Sequence, residues 1–100
     1  MEMITEQEAY ENLCKAVVFR AYKDLVVGYL RVLRCRGQPR ILKDALAFFR
    51  DKERLSIFTD IDGECIINRA QEKADYVYKE WIMNKMYKEY TRLVKENYYE

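Results

Sequence analysis

Among the 100 residues there is no histidine, which removes the commonest general base and a frequent metal ligand. The three glycines stand apart, so neither a phosphate-cradling loop nor a dinucleotide fingerprint nor a strand-turn-helix nucleophile motif can be assembled. Asp60-Ile61-Asp62-Gly63-Glu64 superficially resembles a calcium loop, in which alternating oxygen ligands precede a glycine. Setting Gly63 at that glycine places Phe58 at the first ligand position and Arg69 where a bidentate glutamate is required. The cluster therefore reads as a helix cap. Cys14, Cys35 and Cys65 are an odd set with neither disulfide-framework nor metal-ligand spacing, and they are expected to be reduced thiols buried as small hydrophobes. No catalytic residue, cofactor or metal is expected.

Binding leaves clearer marks than catalysis. The net charge of +1 hides an uneven distribution, with −4 over residues 1–14, +7 over 15–54 and −2 over 55–100. Helical spacing places Arg20, Lys23, Arg31 and Arg34 along one edge, with Arg36, Arg40 and Lys43 close behind. Such a stripe could meet phosphates or an acidic protein surface. The plainer reading is a solvated face with local ion pairs such as Arg20 with Asp24, and near-neutral overall charge argues against tight nonspecific binding to nucleic acid. Six of the nine tyrosines fall between Tyr76 and Tyr99, and tyrosine suits interfaces because it buries a large ring while keeping a polar tip. Asp75 with Lys79 and Glu89 with Arg92 have the spacing of ordinary surface helix pairs.

The elements that carry these residues are helical throughout. Thr5 with Glu8 is a capping-box pair that starts a first helix. Its broad apolar face runs from Tyr10 and Leu13 through Val18, Leu25 and Tyr29 to Leu33, wide enough to predict burial between other helices. Gly28 within it predicts a close helix crossing, and Gly37 a stop. Pro39 opens a second helix to Arg50, with Leu42, Ala45, Leu46 and Phe49 on one side. Asp51 caps a short connecting helix, and Thr59 or Asp60 caps a long third main helix.

That last segment changes character part-way. From Gly63 to Trp81 the apolar residues share one face; from Met83 through Met86, Tyr87, Tyr90, Leu93 and Val94 they lie about half a turn round. One straight helix would measure roughly 55 Å, too long for a compact domain of this size. The segment must break and fold back near residues 82–84 or project. The spacing of Met83, Met86, Tyr90 and Leu93 would suit a short coiled-coil seam.

Ala16-Val17, Ala21-Tyr22-Lys23-Asp24-Leu25, Phe48-Phe49-Arg50 and Leu55-Ser56-Ile57-Phe58-Thr59-Asp60-Ile61-Asp62-Gly63-Glu64 together resemble small helical proteins encoded by phages and integrated mobile elements of Gram-positive bacteria. The likeness spans roughly residues 10–70. It departs at Arg54-Leu55, where such proteins often carry Trp-Phe, and at Cys65, where they carry Tyr. The resemblance implies a phage or prophage product working in a bacterial cytoplasm, with no activity attached to the group.

The expectation is thus an all-α single domain over residues 1–100, a small bundle of three main helices and one short connecting helix, with 83–100 as an oligomerisation or partner-binding extension. It is a non-enzymatic protein that binds a host or phage protein, with counter-defence or regulation as the setting and homodimerisation through Met83, Met86, Tyr87, Tyr90, Leu93 and Val94. The alternative is nucleic-acid or nucleotide binding through Arg20, Lys23, Arg31, Arg34, Arg40 and Lys43. The acidic N-terminus lacks the pattern of a secretion signal and no apolar run is long enough to span a bilayer, so a cytosolic protein without membrane contact is expected.

Overall fold

The computed structural model describes residues 5–34, 37 and 39–98, with the backbone alone at 97 and 98. Cys35, Arg36 and Tyr99, singled out above, lie outside the described residues. Four helices follow one another: α1 (Glu6–Leu33), α2 (Arg40–Arg50), α3 (Lys52–Ser56) and α4 (Gly63–Tyr98). Among the described residues there is no strand, and no helix is long and apolar enough to cross a membrane.

Local chemistry accounts for most of the boundaries. Thr5 starts α1, its hydroxyl accepting from the Glu8 amide at 3.1 Å, with Glu6 and Glu8 in the first turn where the helix dipole favours negative charge. Gly37, at φ 80°, adopts the left-handed conformation that lets the chain turn after α1. Pro39 occupies the capping position just before α2, one residue earlier than its expected place as the first helical residue. Asp51 caps α3 by accepting from the Arg54 amide at 3.2 Å. Thr59 and Asp60 do not cap α4. The Thr59 hydroxyl instead accepts from the Ile61 amide at 3.2 Å and holds a turn, and the helix begins at Gly63.

That later start has a packing cause. A Cβ on Gly63 would lie 1.9 Å from the Phe49 carbonyl oxygen, so the first residue of α4 sits directly on the end of α2 with no room for a side chain. The glycine of the superficial calcium loop is therefore a packing glycine, buried at a helix start. Gly28 plays the same part at the crossing of α1 and α2, where an added Cβ would come within 2.6 Å of Leu42 Cβ.

Around these close approaches lies one core of Leu25, Leu42, Ala45, Phe49, Leu55, Ile66, Ile67 and Ala70, with Phe49 and Leu25 almost wholly enclosed. Val18, Ala21, Tyr22, Val26 and Tyr29 pack against it from α1. The architecture is an up-down-up bundle. Residues 15–22 of α1 flank 65–69 of α4, and Leu33 flanks Tyr78 and Ile82, so these two helices run in the same direction. Antiparallel to both, α2 packs against each of them.

The 11-residue α2 is about 16 Å long. Against it stand α1, of 28 residues, and α4, of 36, which overshoot it at opposite ends. Tyr10 and Leu13, expected inside, are 56% and 61% exposed, because the first turns of α1 extend beyond the start of α4. Val32 is exposed as well. At the other end α4 neither breaks nor folds back, and continues as one helix past Asn84. The radius of gyration is 19.9 Å, against about 13 Å for a compact chain of this length.

Gly63→Ala should cost about 2 kcal/mol or more, because a backbone carbonyl cannot yield as a side chain can. Gly28→Ala should cost less, since roughly 1 kcal/mol of helix propensity is recovered against overpacking of Leu42. Thermal unfolding followed by circular dichroism checks this, with Gly63→Ala expected to lower Tm by about 10 °C and Gly28→Ala by a smaller amount.

Candidate interaction surface

Helical spacing explains why α4 leaves the bundle. The inward stripe of α4 is Gly63, Ile66, Ile67, Ala70, Ala74, Val77, Tyr78 and Trp81, buried or half-buried up to Tyr78 and then 41% exposed at Trp81. Continued at the same three-and-four spacing, this stripe meets Lys85, Lys88, Arg92 and Lys95, all exposed. Beyond Trp81 the face that had been packing is cationic, and α1, which runs beside it, ends in the basic Arg31 and Arg34. No core can be extended along it.

The apolar residues have moved to the opposite side. Met83, Met86, Tyr87 and Tyr90 are each at least 65% exposed, and Leu93 is 46% exposed. Val94 is half-buried against its own helix. Thus the six residues expected to form an interface do share one side of one helix, and none of them lies in the core. Averaged over its whole length α4 has no apolar side, because its two halves point in opposite directions.

The root of this arm is held by aromatic contacts. Trp81 stacks on Tyr78 with ring centroids 6.0 Å apart, while the Arg34 guanidinium lies 4.9 Å and the Lys85 ammonium 5.1 Å from its ring. Farther out, Arg92 pairs with Glu89, as expected, and with Glu96 at 3.6 Å. The pair expected between Asp75 and Lys79 is not among the ion pairs of the described residues. The neighbouring Glu80 carboxylate raises the Tyr76 phenol above its ordinary pKa.

The six cations of the alternative site are all exposed but do not converge. Lys23 covers the Phe19 ring at 4.7 Å, Arg34 serves Trp81, and Arg40 faces Asp44 at 3.8 Å. Lys43 borders a cleft of about 340 Å³ beside Pro39, Leu42 and Leu46. Arg20 does not pair with Asp24 among the described residues, and neither it nor Arg31 joins any of the four ion pairs found there. A stripe spread over two helices, with half its members engaged by rings or a carboxylate, offers no focused anion site.

A feature missed in the sequence is an open groove of about 590 Å³ between α1 and the start of α4. Its walls are mainly apolar, including Val18, Phe19, Tyr22, Phe58 and Ile61, and Lys15 and Arg69 are its charged members. The spacing of Lys15, Phe19 and Tyr22 on one helix face was the available signal. Cys65, expected to be buried, is exposed at the groove edge, with its thiol 4.0 Å from an Asp62 carboxylate oxygen. It falls on the outward side of α4's first turn. Cys14 is buried as expected and its thiol approaches the Ile57 carbonyl at 3.9 Å. Among the described residues no three His, Cys, Asp or Glu side chains gather where they could hold a metal ion.

Comparison with protein-family models, with curated proteins and with solved structures finds no match to this chain.

Partial burial raises the Tyr29 phenol above its ordinary pKa of 10.0, with Arg50 opposing and Glu64 reinforcing the shift. A raised folded pKa means that the folded state keeps its proton longer than the unfolded chain. Its contribution to stability is complete below pH 10 and is lost as pH climbs through the folded value. Denaturant unfolding between pH 8 and about pH 11 should therefore show a loss of stability that Tyr29→Phe reduces.

Proposed function

We propose that this is a non-enzymatic interaction protein whose contact surface is the outward apolar side of the α4 arm. The observation that carries this reading is the change of sides: on a helix otherwise dressed with Lys and Glu, Met83, Met86, Tyr87, Tyr90 and Leu93 are aligned and exposed. Isolated exposed hydrophobes are ordinary, whereas an aligned patch of large ones marks a place where another molecule sits. Methionine and tyrosine add adaptable packing and a ring with a polar tip, both favoured at protein interfaces.

The resemblance of residues 10–70 to phage and mobile-element proteins supports a setting in which the bundle carries the arm to a host or phage protein in a bacterial cytoplasm. Counter-defence or regulation of a host factor fits such a protein. Binding of nucleic acid through Arg20, Lys23, Arg31, Arg34, Arg40 and Lys43 is the second reading, favoured by their exposure and weakened by their dispersal and by the partners that three of them already have.

Tagged chain used as bait in a bacterial lysate, with bound protein and nucleic acid both analysed, tests the choice. Bound protein should be lost with Tyr90→Glu and retained with Arg31→Glu/Arg34→Glu. Recovery of nucleic acid that only the arginine variant abolishes would favour the second reading instead.

A further inference from the structure

We infer that the occupant of the arm's apolar side is the same side of a second copy of this chain, the two arms pairing antiparallel. The inference rests on the reading of the arm as a protein-contact surface and names what covers it.

Three observations bear on the occupant. The first is polarity around the helix. Lys85, Lys88, Arg92 and Lys95 face away from the apolar side, so two copies can bring Met83, Met86, Tyr90 and Leu93 together while their cations stay in water. The end of α1 reaches only the root of the pairing face, where Leu33 shares a cleft with Lys79, Ile82 and Met83, and Met86, Tyr87, Tyr90 and Leu93 lie farther along the arm.

The second is area. At the exposures of Met83, Met86, Tyr87, Tyr90 and Leu93, side chains of this size offer about 600 Å² per chain and about 1,200 Å² for two, the lower bound of a specific interface. A pair of arms that covered all of this area would just reach that bound, which fits a weak, reversible association.

The third sets the direction. Extended toward the bundle, the seam positions of Met83, Met86, Tyr90 and Leu93 continue to Lys79, Tyr76 and then Glu72, all exposed. A parallel pair would place Lys79 against its own copy directly beside the Met83 layer, and Glu72 against its copy two turns on. Like charges in facing positions are destabilising. An antiparallel pair instead sets Met83 opposite the partner's Leu93 and Met86 opposite the partner's Tyr90, and the overlap ends before any such layer forms. It also holds the two basic arm roots, with Arg31, Arg34 and Lys79, about 20 Å apart, beyond the screening distance of physiological salt.

Sedimentation equilibrium of the full chain decides the matter. The expected result is a monomer–dimer equilibrium within about 1–100 µM, as an interface near the lower size limit implies. Tyr90→Glu and Met86→Glu should each weaken it at least about tenfold, whereas Lys88→Glu, on the far side, should change it less than about threefold. Lys79→Leu reads the direction, since it would tighten a parallel pair about tenfold or more by replacing a like-charged layer and leave an antiparallel pair nearly unchanged. Circular dichroism melts confirm that each variant keeps the bundle, and a chain ending at Ile82 provides a monomeric reference. A full-length chain that stays monomeric to about 1 mM, roughly tenfold above the weak end of that range, overturns the inference. So does a dimer indifferent to Met86 and Tyr90, or one tightened by Lys79→Leu. A monomeric chain that still captures a different protein through Tyr90 refutes the pairing and keeps the proposed function. A dimer of this kind whose capture of other proteins ignores Tyr90 keeps the pairing and removes any further partner from that surface.

Discussion

Past Trp81, the inner stripe of α4 turns from apolar to cationic, and the shape of the molecule follows from that change. Up to Trp81 the stripe is greasy enough to be drawn onto α1 and α2. From Lys85 onward, further packing would require three ammonium groups and a guanidinium to leave water, and of these only Arg92 has carboxylate partners among the described residues, a cost that a few buried methylenes could not offset. Helix formation needs no such burial, and the 36-residue α4 simply continues into solvent. Trp81 marks the junction, with its ring against Tyr78 and cations from both α1 and the arm.

The bundle that anchors this arm is small and depends on backbone proximity more than on volume. Only ten apolar side chains are buried among the described residues, several of them alanine or cysteine. Two glycines let the helices close over so modest a core: Gly28 brings α1 against Leu42, and Gly63 seats α4 on the Phe49 carbonyl. Phe49, the largest enclosed side chain, thereby touches the start of α4 through its backbone while filling the center with its ring. Because α2 is short, the core is short too, and both long helices outrun it. The two overhangs differ in chemistry, α1 projecting acidic turns with Tyr10 and Leu13 and α4 projecting the Met- and Tyr-rich arm.

On the proposed function, this division separates anchoring from contact. The bundle would set the direction of the arm, and the arm carries the aligned, exposed apolar side chains. Of the six cations Arg20, Lys23, Arg31, Arg34, Arg40 and Lys43, three are engaged locally, Lys23 over Phe19, Arg34 over Trp81 and Arg40 beside Asp44, so the basic middle of the chain is dispersed in space. The groove beside Lys15 and Arg69 is mainly apolar, and among the described residues no three His, Cys, Asp or Glu side chains gather where they could hold a metal ion.

Much of this was legible from residue order, because it depends on periodicity and local hydrogen bonding. The all-α class, the Thr5 and Asp51 caps, the Leu42, Ala45 and Phe49 face of α2 and the half-turn change of sides near Met83 all follow from spacing along the chain. What spacing could not decide was which of two geometrically acceptable arrangements the chain adopts. Burial of Tyr10 and Leu13 depended on where α4 starts relative to α1, and the start of α4 depended on Gly63 meeting a carbonyl 14 residues earlier in the chain. Arg20 and Asp24 had the spacing of an ion pair but solvent holds them equally well apart, and Cys65 turned outward because the helix entered the bundle at Gly63. The sequence by itself determined what each face of each helix is made of. Tertiary structure alone decided which faces meet, since that depends on distances between residues far apart in the chain, and on α2 being too short to cover the whole of its neighbors.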